Sequence, residues 1–362
     1  MDTKTAKTMF HALRIAEVRR ETRDAVSIRF EVPPALEAVF TFAAGQYVTV
    51  RAVIDGAEVR RNYSICAAPL DGELRIAVKA LPGGVFSVYA NERLRAGDVI
   101  EVMPAAGHFT APFGPDRALR YAAFAAGSGI TPILSIIRTV LQVEPRSRFT
   151  LVYGNRVSGQ ILFLDALAAL KNRFMARFDV YHFLSAEEEE IALFNGRLDR
   201  AKCEQVLEDL IDPATLDLCF ICGPEGMMAA AERALWDRGV APEAVRLERF
   251  VAGGTAGPST ASLAAISQAA GRSMGVVLEG RRSTVVFDAA LGNILDSVRA
   301  SGVAAPFACK GGVCATCRAK IVSGRATMGV NYGLTPDEVA QGYILTCQAT
   351  PVTDDLVITY DT

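Results

Sequence analysis

Histidine is scarce. The three, His11, His108 and His182, are scattered over 362 residues, so the chain has no His/carboxylate cluster of its own with which to activate oxygen. Net charge is nearly absent as well: 38 basic against 40 acidic side chains leave −2, and nothing basic enough to bind nucleic acid stands out. An unbroken membrane-length run is missing. The uncharged stretch from 121 to 137, 17 residues, is interrupted by Gly127-Ser128-Gly129 and Thr131-Pro132 and ends at Arg138. A spanning helix wants about 20 apolar residues without such breakers, so a buried strand, a tight turn and a helix start explain it better. The polar start, Met1-Asp2-Thr3-Lys4-Thr5-Ala6-Lys7-Thr8, lacks an apolar signal core. The eight cysteines are therefore expected in a reducing, cytoplasmic setting, where metal or catalytic roles are favoured over disulfides.

Four of those cysteines organise the chain. Cys309, Cys314 and Cys317 read Cys-x4-Cys-x2-Cys, and 29 residues separate them from Cys347. That is the spacing of a plant-type [2Fe–2S] centre. A zinc site more often pairs two Cys-x2-Cys knuckles, and only one is present; buried structural thiols are the other plain reading. Gly311 and Gly312 are expected at positive φ, bringing N–H donors close to the sulfurs. Cys66, Cys203 and Cys219 have no partner motif and are assigned to packing.

Ahead of this motif lie two domains. Residues 8–114 alternate in short, β-branched runs punctuated by Pro and Gly, as in a small antiparallel barrel. At the end of one strand, Arg61-Asn62-Tyr63-Ser64 puts Arg61 and Tyr63 on one face, a forked cation for phosphate beside a ring with a polar tip. A surface Arg on an exposed strand reads the same way. Lys79-Ala80-Leu81-Pro82-Gly83-Gly84-Val85-Phe86-Ser87 is a strand, a Pro-Gly-Gly turn and a helix that Ser87 is expected to open. Its free N–H groups suit a pyrophosphate, or Ser87 is simply a helix cap.

Residues 115–250 alternate strands and helices, the pattern of a parallel sheet with crossovers. The strand before Gly127-Ser128-Gly129 runs into a turn for which Thr131 is the expected N-cap and Pro132 the first helical residue, a pyrophosphate cradle or a plain βα turn. After the next strand an NAD-specific site would carry Asp or Glu; Asn155 and Arg156 stand there, and Arg suits the 2′-phosphate of NADP. NADPH is favoured, with NADH possible. The acidic run 187–190 reads as a solvated loop. Cys222-Gly223-Pro224 ends a hydrophobic strand at the sheet edge where ligands bind, although a lone buried Cys is usually inert. Residues 251–271 carry no charge and read as a flexible tether; 272–362 follow the β-grasp order around the cysteines.

Arg61-x-Tyr63-Ser64 with Gly83-Gly84-x-x-Ser87, then Gly127-x-Gly129-x-x-Pro132 and Cys222-Gly223-Pro224, resemble the ferredoxin–NADP reductase superfamily. The resemblance implies a flavin, FAD favoured with FMN possible, and Lys79 among the residues that bind it. It implies that Arg61 and Ser87 hold flavin phosphates, Tyr63 packs on the flavin and Ser64 sits near its reactive N5. Arg197 matches a second phosphate-contacting position, Cys222 one beside the nicotinamide, and Phe250 an aromatic over the flavin, although a core Phe reads equally well. Nearly end to end, with 308–317, Asn331-Tyr332, Pro336-Asp337-Glu338 and Cys347-Gln348-Ala349, the chain resembles the reductase components of the phenylacetyl-CoA ring-1,2-epoxidases. That implies electron delivery to a separate di-iron oxygenase that epoxidises the aromatic ring. A reductase for another aromatic or alkane oxygenase carries the same motifs, and a non-catalytic iron–sulfur carrier or sensor is the reading from a different class.

Overall fold

Alternating β-branched residues in the first hundred positions fold into six antiparallel strands: β1 (His11–Thr22), β2 (Ala25–Glu31), β3 (Tyr47–Ile54), β4 (Ala57–Ser64), β5 (Leu74–Lys79) and β6 (Val99–Val102). Their order is β4-β3-β6-β1-β2-β5, and a bridge between Ile65 and Ile76 brings the two edges together as a barrel. Register shifts after Ile15 and Arg20 bend the long β1 around the core. Inward residues such as Leu13, Ile28, Val48 and Val78 are fully buried. Helix α1 (Val85–Glu92) covers the barrel and buries Phe86, worth about 2 kcal/mol. It begins two residues before the expected Ser87, with Gly84 at the N-cap.

The computed structural model describes residues 10–250 and 260–361, in two compact units that divide after Phe250. Residues 8 and 9 of the expected barrel, 251–259 of the expected tether and residue 362 lie outside the described residues.

The rest of the first unit is a parallel sheet built from β7 (Arg120–Ala126), β8 (Arg148–Asn155), β9 (Phe178–Leu184), β10 (Leu218–Cys222) and β11 (Val245–Glu248). The order β11-β10-β7-β8-β9 places the reversal of strand order beside β7. Ligands of such sheets bind in the crevice at that switch point. Residues 121 to 125 are buried on both faces, which explains the charge-free stretch without a membrane. No described helix is long and apolar enough to cross one. The turn after β7 departs from expectation: Gly127–Gly129 is a 3-10 turn feeding α2 (Ile130–Val143), so Thr131 lies inside the helix. Its hydroxyl donates back to the Ser128 carbonyl (2.9 Å) and does not cap. The following helices are α3 (Leu164–Arg173), α4 (Arg200–Asp209) and α5 (Glu225–Asp237), the last with Pro224 at its N-cap.

In the second unit, part of the expected tether is helix: α6 (Thr260–Gln268). Ile266 and Ala269 pack on the unit's core, so a stretch whose small residues read as a linker gains its order from tertiary contact. A mixed sheet follows, β12 (Ser273–Leu278) and β13 (Arg281–Val286) forming a hairpin, with helix α7 (Ile294–Ala300) across it. The hairpin turn is Glu279-Gly280, both at positive φ, and the Asp361 carboxylate accepts both their N–H groups. The remaining elements are β14 (Arg318–Ser323), β15 (Ala326–Met328), α8 (Pro336–Ala340), β16 (Tyr343–Leu345), β17 (Ala349–Pro351) and β18 (Val357–Thr359). Sheet order is β13-β12-β18-β14-β16, with the cysteine loop between α7 and β14.

Candidate electron-transfer site

On the barrel, Tyr63 near the end of β4 meets Phe86 of α1, ring centroids 5.4 Å apart, joining the Arg61 segment to the glycine turn. Ser64 is buried. Arg61 is half-buried and donates to the Arg60 carbonyl at 2.7 Å. The turn itself is built by Ser87: its hydroxyl accepts the Leu81 N–H (3.1 Å) and donates to the Gly84 carbonyl (3.3 Å). The serine thus shapes the cradle, and the first-turn N–H groups of α1 are left to face an anion. Gly83 sits at φ +72 with open space where a side chain would be, the free approach a phosphate needs. Lys79 is drawn aside, its Nζ 3.5 Å from Asp24.

At the switch point two backbone turns interlock. A Cβ on Gly129 would fall 2.0 Å from the Cys222 carbonyl oxygen, and one on Gly223 would fall 3.1 Å from Ala126 N. Tyr153 OH donates to the Gly127 carbonyl (2.9 Å) and anchors the loop from behind. Cys222 is fully buried, and burial, with Glu248 second, pushes its thiol well up, so it stays neutral. Asn155 is nine-tenths buried at the end of β8, and its Nδ2 has no hydrogen-bond partner of good geometry. A buried donor left open beside a glycine turn fits an incoming nucleotide oxygen.

Arg156 and Arg197 come to the same edge. Ala186 N–H donates to the Arg156 carbonyl and Gly196 N–H to the Leu184 carbonyl, each at 2.8 Å, and both guanidinium side chains are exposed. The acidic run is exposed but not loose: Glu187 accepts the Ser158 N–H at 2.8 Å and Glu189 exchanges two hydrogen bonds with Asn195. Phe250 is 43% exposed, which rules out the core reading of it.

Glu248 was not legible as a site residue. It is half-buried, in register with Cys222 on the neighbouring strand, and the desolvation of its carboxyl among these neighbours pushes it from an ordinary value near 4.5 up to about 8. The unfolded chain releases this proton near 4.5 and the folded chain near 8. Between those values the folded state binds more protons, so stability falls as pH rises across the window. Glu248→Gln removes the titration, and its melting temperature should gain on wild type steadily from about pH 5 to about pH 8. Thermal melts across that range check it; a constant gap would contradict the burial.

The four cysteines fall into two pairs. Cys309 and Cys314 hydrogen-bond each other, pushing the first thiol up and the second down, and Cys317 and Cys347 do likewise. Among the described residues no three His, Cys, Asp or Glu side chains converge on one ion. Two thiol pairs match a centre with two irons, each taking two sulfurs. N–H groups already point at the sulfurs: Gly311 and Cys314 donate to Cys309 Sγ (3.3 and 3.4 Å), and Cys309 donates to Cys314 Sγ (3.4 Å). Lys310 (φ +52), Gly312 (φ +77) and Ala315 (φ +50) are the left-handed positions that turn them inward; the expected Gly311 is not among these. Lys310 extends to Asp296 (2.6 Å), so its charge is tied back to α7.

Comparison with known proteins agrees. Residues 12–111 match the oxidoreductase FAD-binding domain, 124–233 the oxidoreductase NAD-binding domain and 276–352 the 2Fe-2S iron-sulfur cluster binding domain. The chain is 45% identical to a component of the 1,2-phenylacetyl-CoA epoxidase of Escherichia coli K12, over 98% of both chains. It is 32% identical to the ferredoxin reductase component of 3-ketosteroid-9-alpha-monooxygenase from Mycobacterium tuberculosis, over 96% of this chain and 95% of that one. The fold is shared with phthalate dioxygenase reductase, at a TM-score of 0.59 and 23% identity over 97% of this chain and 98% of that one. With its FAD, pyridine-nucleotide and [2Fe–2S] domains, the chain belongs to the family of oxygenase ferredoxin reductases that includes this component of the phenylacetyl-CoA epoxidase.

Proposed function

We propose that this chain is a cytoplasmic reductase that takes electrons from NADPH and passes them through FAD and [2Fe–2S] to the di-iron oxygenase of a phenylacetyl-CoA 1,2-epoxidase. The observation that carries the reading is the 45% identity over 98% of both chains with the Escherichia coli protein. Bound in order, the three groups turn a two-electron hydride donor into a source of single electrons. The chain's own part is placement. Arg61 and the α1 N-terminus hold flavin phosphates, Tyr63 stacks on the flavin and Ser64 faces its N5. Gly127, Ser128, Gly129 and Thr131 seat the pyrophosphate, Asn155 supplies its open donor, and Cys222, Gly223 and Pro224 shape the nicotinamide side. Cys309, Cys314, Cys317 and Cys347 hold the cluster. In a test with purified components, NADPH-driven turnover should be faster with the phenylacetyl-CoA epoxygenating component than with a ketosteroid or glycine betaine monooxygenase. Faster turnover with either of the latter two would overturn the assignment.

Coenzyme choice rests on Arg156 and Arg197. Losing a charge-assisted contact to the 2′-phosphate costs about 1.5–3 kcal/mol, so Arg156→Ala should raise the KM for NADPH about tenfold or more and change that for NADH less than about twofold. Glu187, held two residues from Arg156 by the Ser158 N–H, favours NADH as a second reading. Equal losses for both coenzymes would decide for it.

A further inference from the structure

Three stretches surround the cysteine loop or form it, 311–317, 326–336 and 341–353, and none contains Asp, Glu, Lys or Arg. The fold draws them together. Tyr332 N–H donates to the Gly312 carbonyl at 2.9 Å, and a Cβ on Gly333 would fall 2.6 Å from the Val313 oxygen. Gln348 Nε2 donates to the Lys310 carbonyl at 3.0 Å and closes the third side. Of the charges that bound these stretches, Lys310, Arg318 and Asp354 are paired with Asp296, Glu338 and Arg272, and Arg325 and Asp337 are of opposite sign. The stretches around the cluster ligands thus form a collar that adds no charge of its own, and the charges that bound it are paired or of opposite sign.

Tyr332 stands out on that collar. It exposes 54% of its surface, against the half-buried Val313 and Val330. Cys309, the least buried of the four cysteines, opens the same loop, so the ligand set comes nearest to solvent on the side of this loop. Proteins that associate through complementary charge gain speed from it and lose that speed as salt rises. An uncharged collar forgoes steering and leaves apolar fit to choose the partner, with an amphipathic aromatic as its natural anchor.

We propose that the oxygenase component docks on this charge-free collar through an uncharged, apolar face seated on Tyr332, so that electron delivery is insensitive to salt. The proposal rests on the functional reading above and adds the surface and the partner's chemistry. Stopped-flow reduction of the oxygenase component by prereduced holoprotein tests it. The wild-type second-order rate constant should change less than about twofold between about 0.02 and 0.5 M salt. Tyr332→Glu should lower it about tenfold or more and Tyr332→Leu about twofold or less, with flavin and cluster reduction by NADPH unaltered in both. A wild-type rate falling tenfold with salt, or a Tyr332→Glu rate equal to wild type, overturns the proposal. Slower internal cluster reduction in Tyr332→Glu also overturns it, because the collar would then serve the flavin. Wild type that cannot reduce this oxygenase at any salt overturns the functional reading and the partner with it, an outcome distinct from failure of the collar alone.

Discussion

Cys309→Ser should abolish oxygenase reduction, by about a hundredfold or more, and leave NADPH–ferricyanide activity near wild type. Cys309 is paired with Cys314 and accepts two backbone N–H groups. Serine offers a poorer ligand for iron and a smaller acceptor for those N–H groups, so one iron loses half of its protein ligands. The damage stays local. The FAD- and NAD-binding domain matches lie in the unit that ends at Phe250, and the 2Fe-2S domain match in the other. Ferricyanide can take electrons from the flavin, whereas the oxygenase needs the cluster. Iron and sulfide content, the visible spectrum and the two activities measured side by side check the prediction. Loss of ferricyanide activity with flavin still bound would show that the division of labour between the units is wrong. Metal binding also contributes to folding, so the second unit should melt earlier in the variant.

How much of this was legible depended on whether the signal was local. The strand of the charge-free stretch, the presence of a glycine turn before α1 and before α2, and the cysteine loop are local signals. Each is found where the sequence places it, although the caps and the left-handed positions of Lys310 and Ala315 are not. What escaped was set by tertiary contact. Ser87 read as a cap or phosphate ligand because a serine after two glycines suggests either; that it builds the turn follows from Leu81 folding back onto it. Gly311 was the natural candidate for a left-handed residue, yet the loop assigns that conformation to Lys310 and Ala315, whose carbonyls accept from Gln348 Nε2 and from Arg318 N–H. Residues 260–268 have small-residue composition, and the helix they form is held to the core by Ile266 and Ala269. Glu248 looks solvent-exposed in sequence because a charge at a strand end usually is. The desolvation of its half-buried carboxyl comes from pairing beside Cys222, which no periodicity reveals.

Gly129→Ala should be among the most damaging single-methyl changes in the first unit. Glycine is not required there for its dihedral freedom: Gly129 has φ −61 and ψ −14, ordinary helical values. The constraint is distance. The added methyl would lie 2.0 Å from the Cys222 oxygen, 2.5 Å from its carbonyl carbon and 3.0 Å from Gly223 N, all backbone atoms with no side-chain torsion to yield. Relief requires the turn after β7 to part from the end of β10 by roughly 1 Å, at about 2–4 kcal/mol of stability. Those are the two turns proposed to seat the pyrophosphate and place the nicotinamide, so on that reading flavin reduction by NADPH should slow about a hundredfold, the effect a 1 Å misplacement can have. Gly226→Ala is the internal control. It lies in the first turn of α5 with nothing within 4 Å of a new Cβ, so it should gain about 0.5–1 kcal/mol from helix propensity and keep wild-type kinetics. Denaturant melts and stopped-flow flavin reduction on the two variants separate the cases. If Gly129→Ala folds and reacts like wild type, the close approach of the two turns is not what aligns the nucleotide with the flavin.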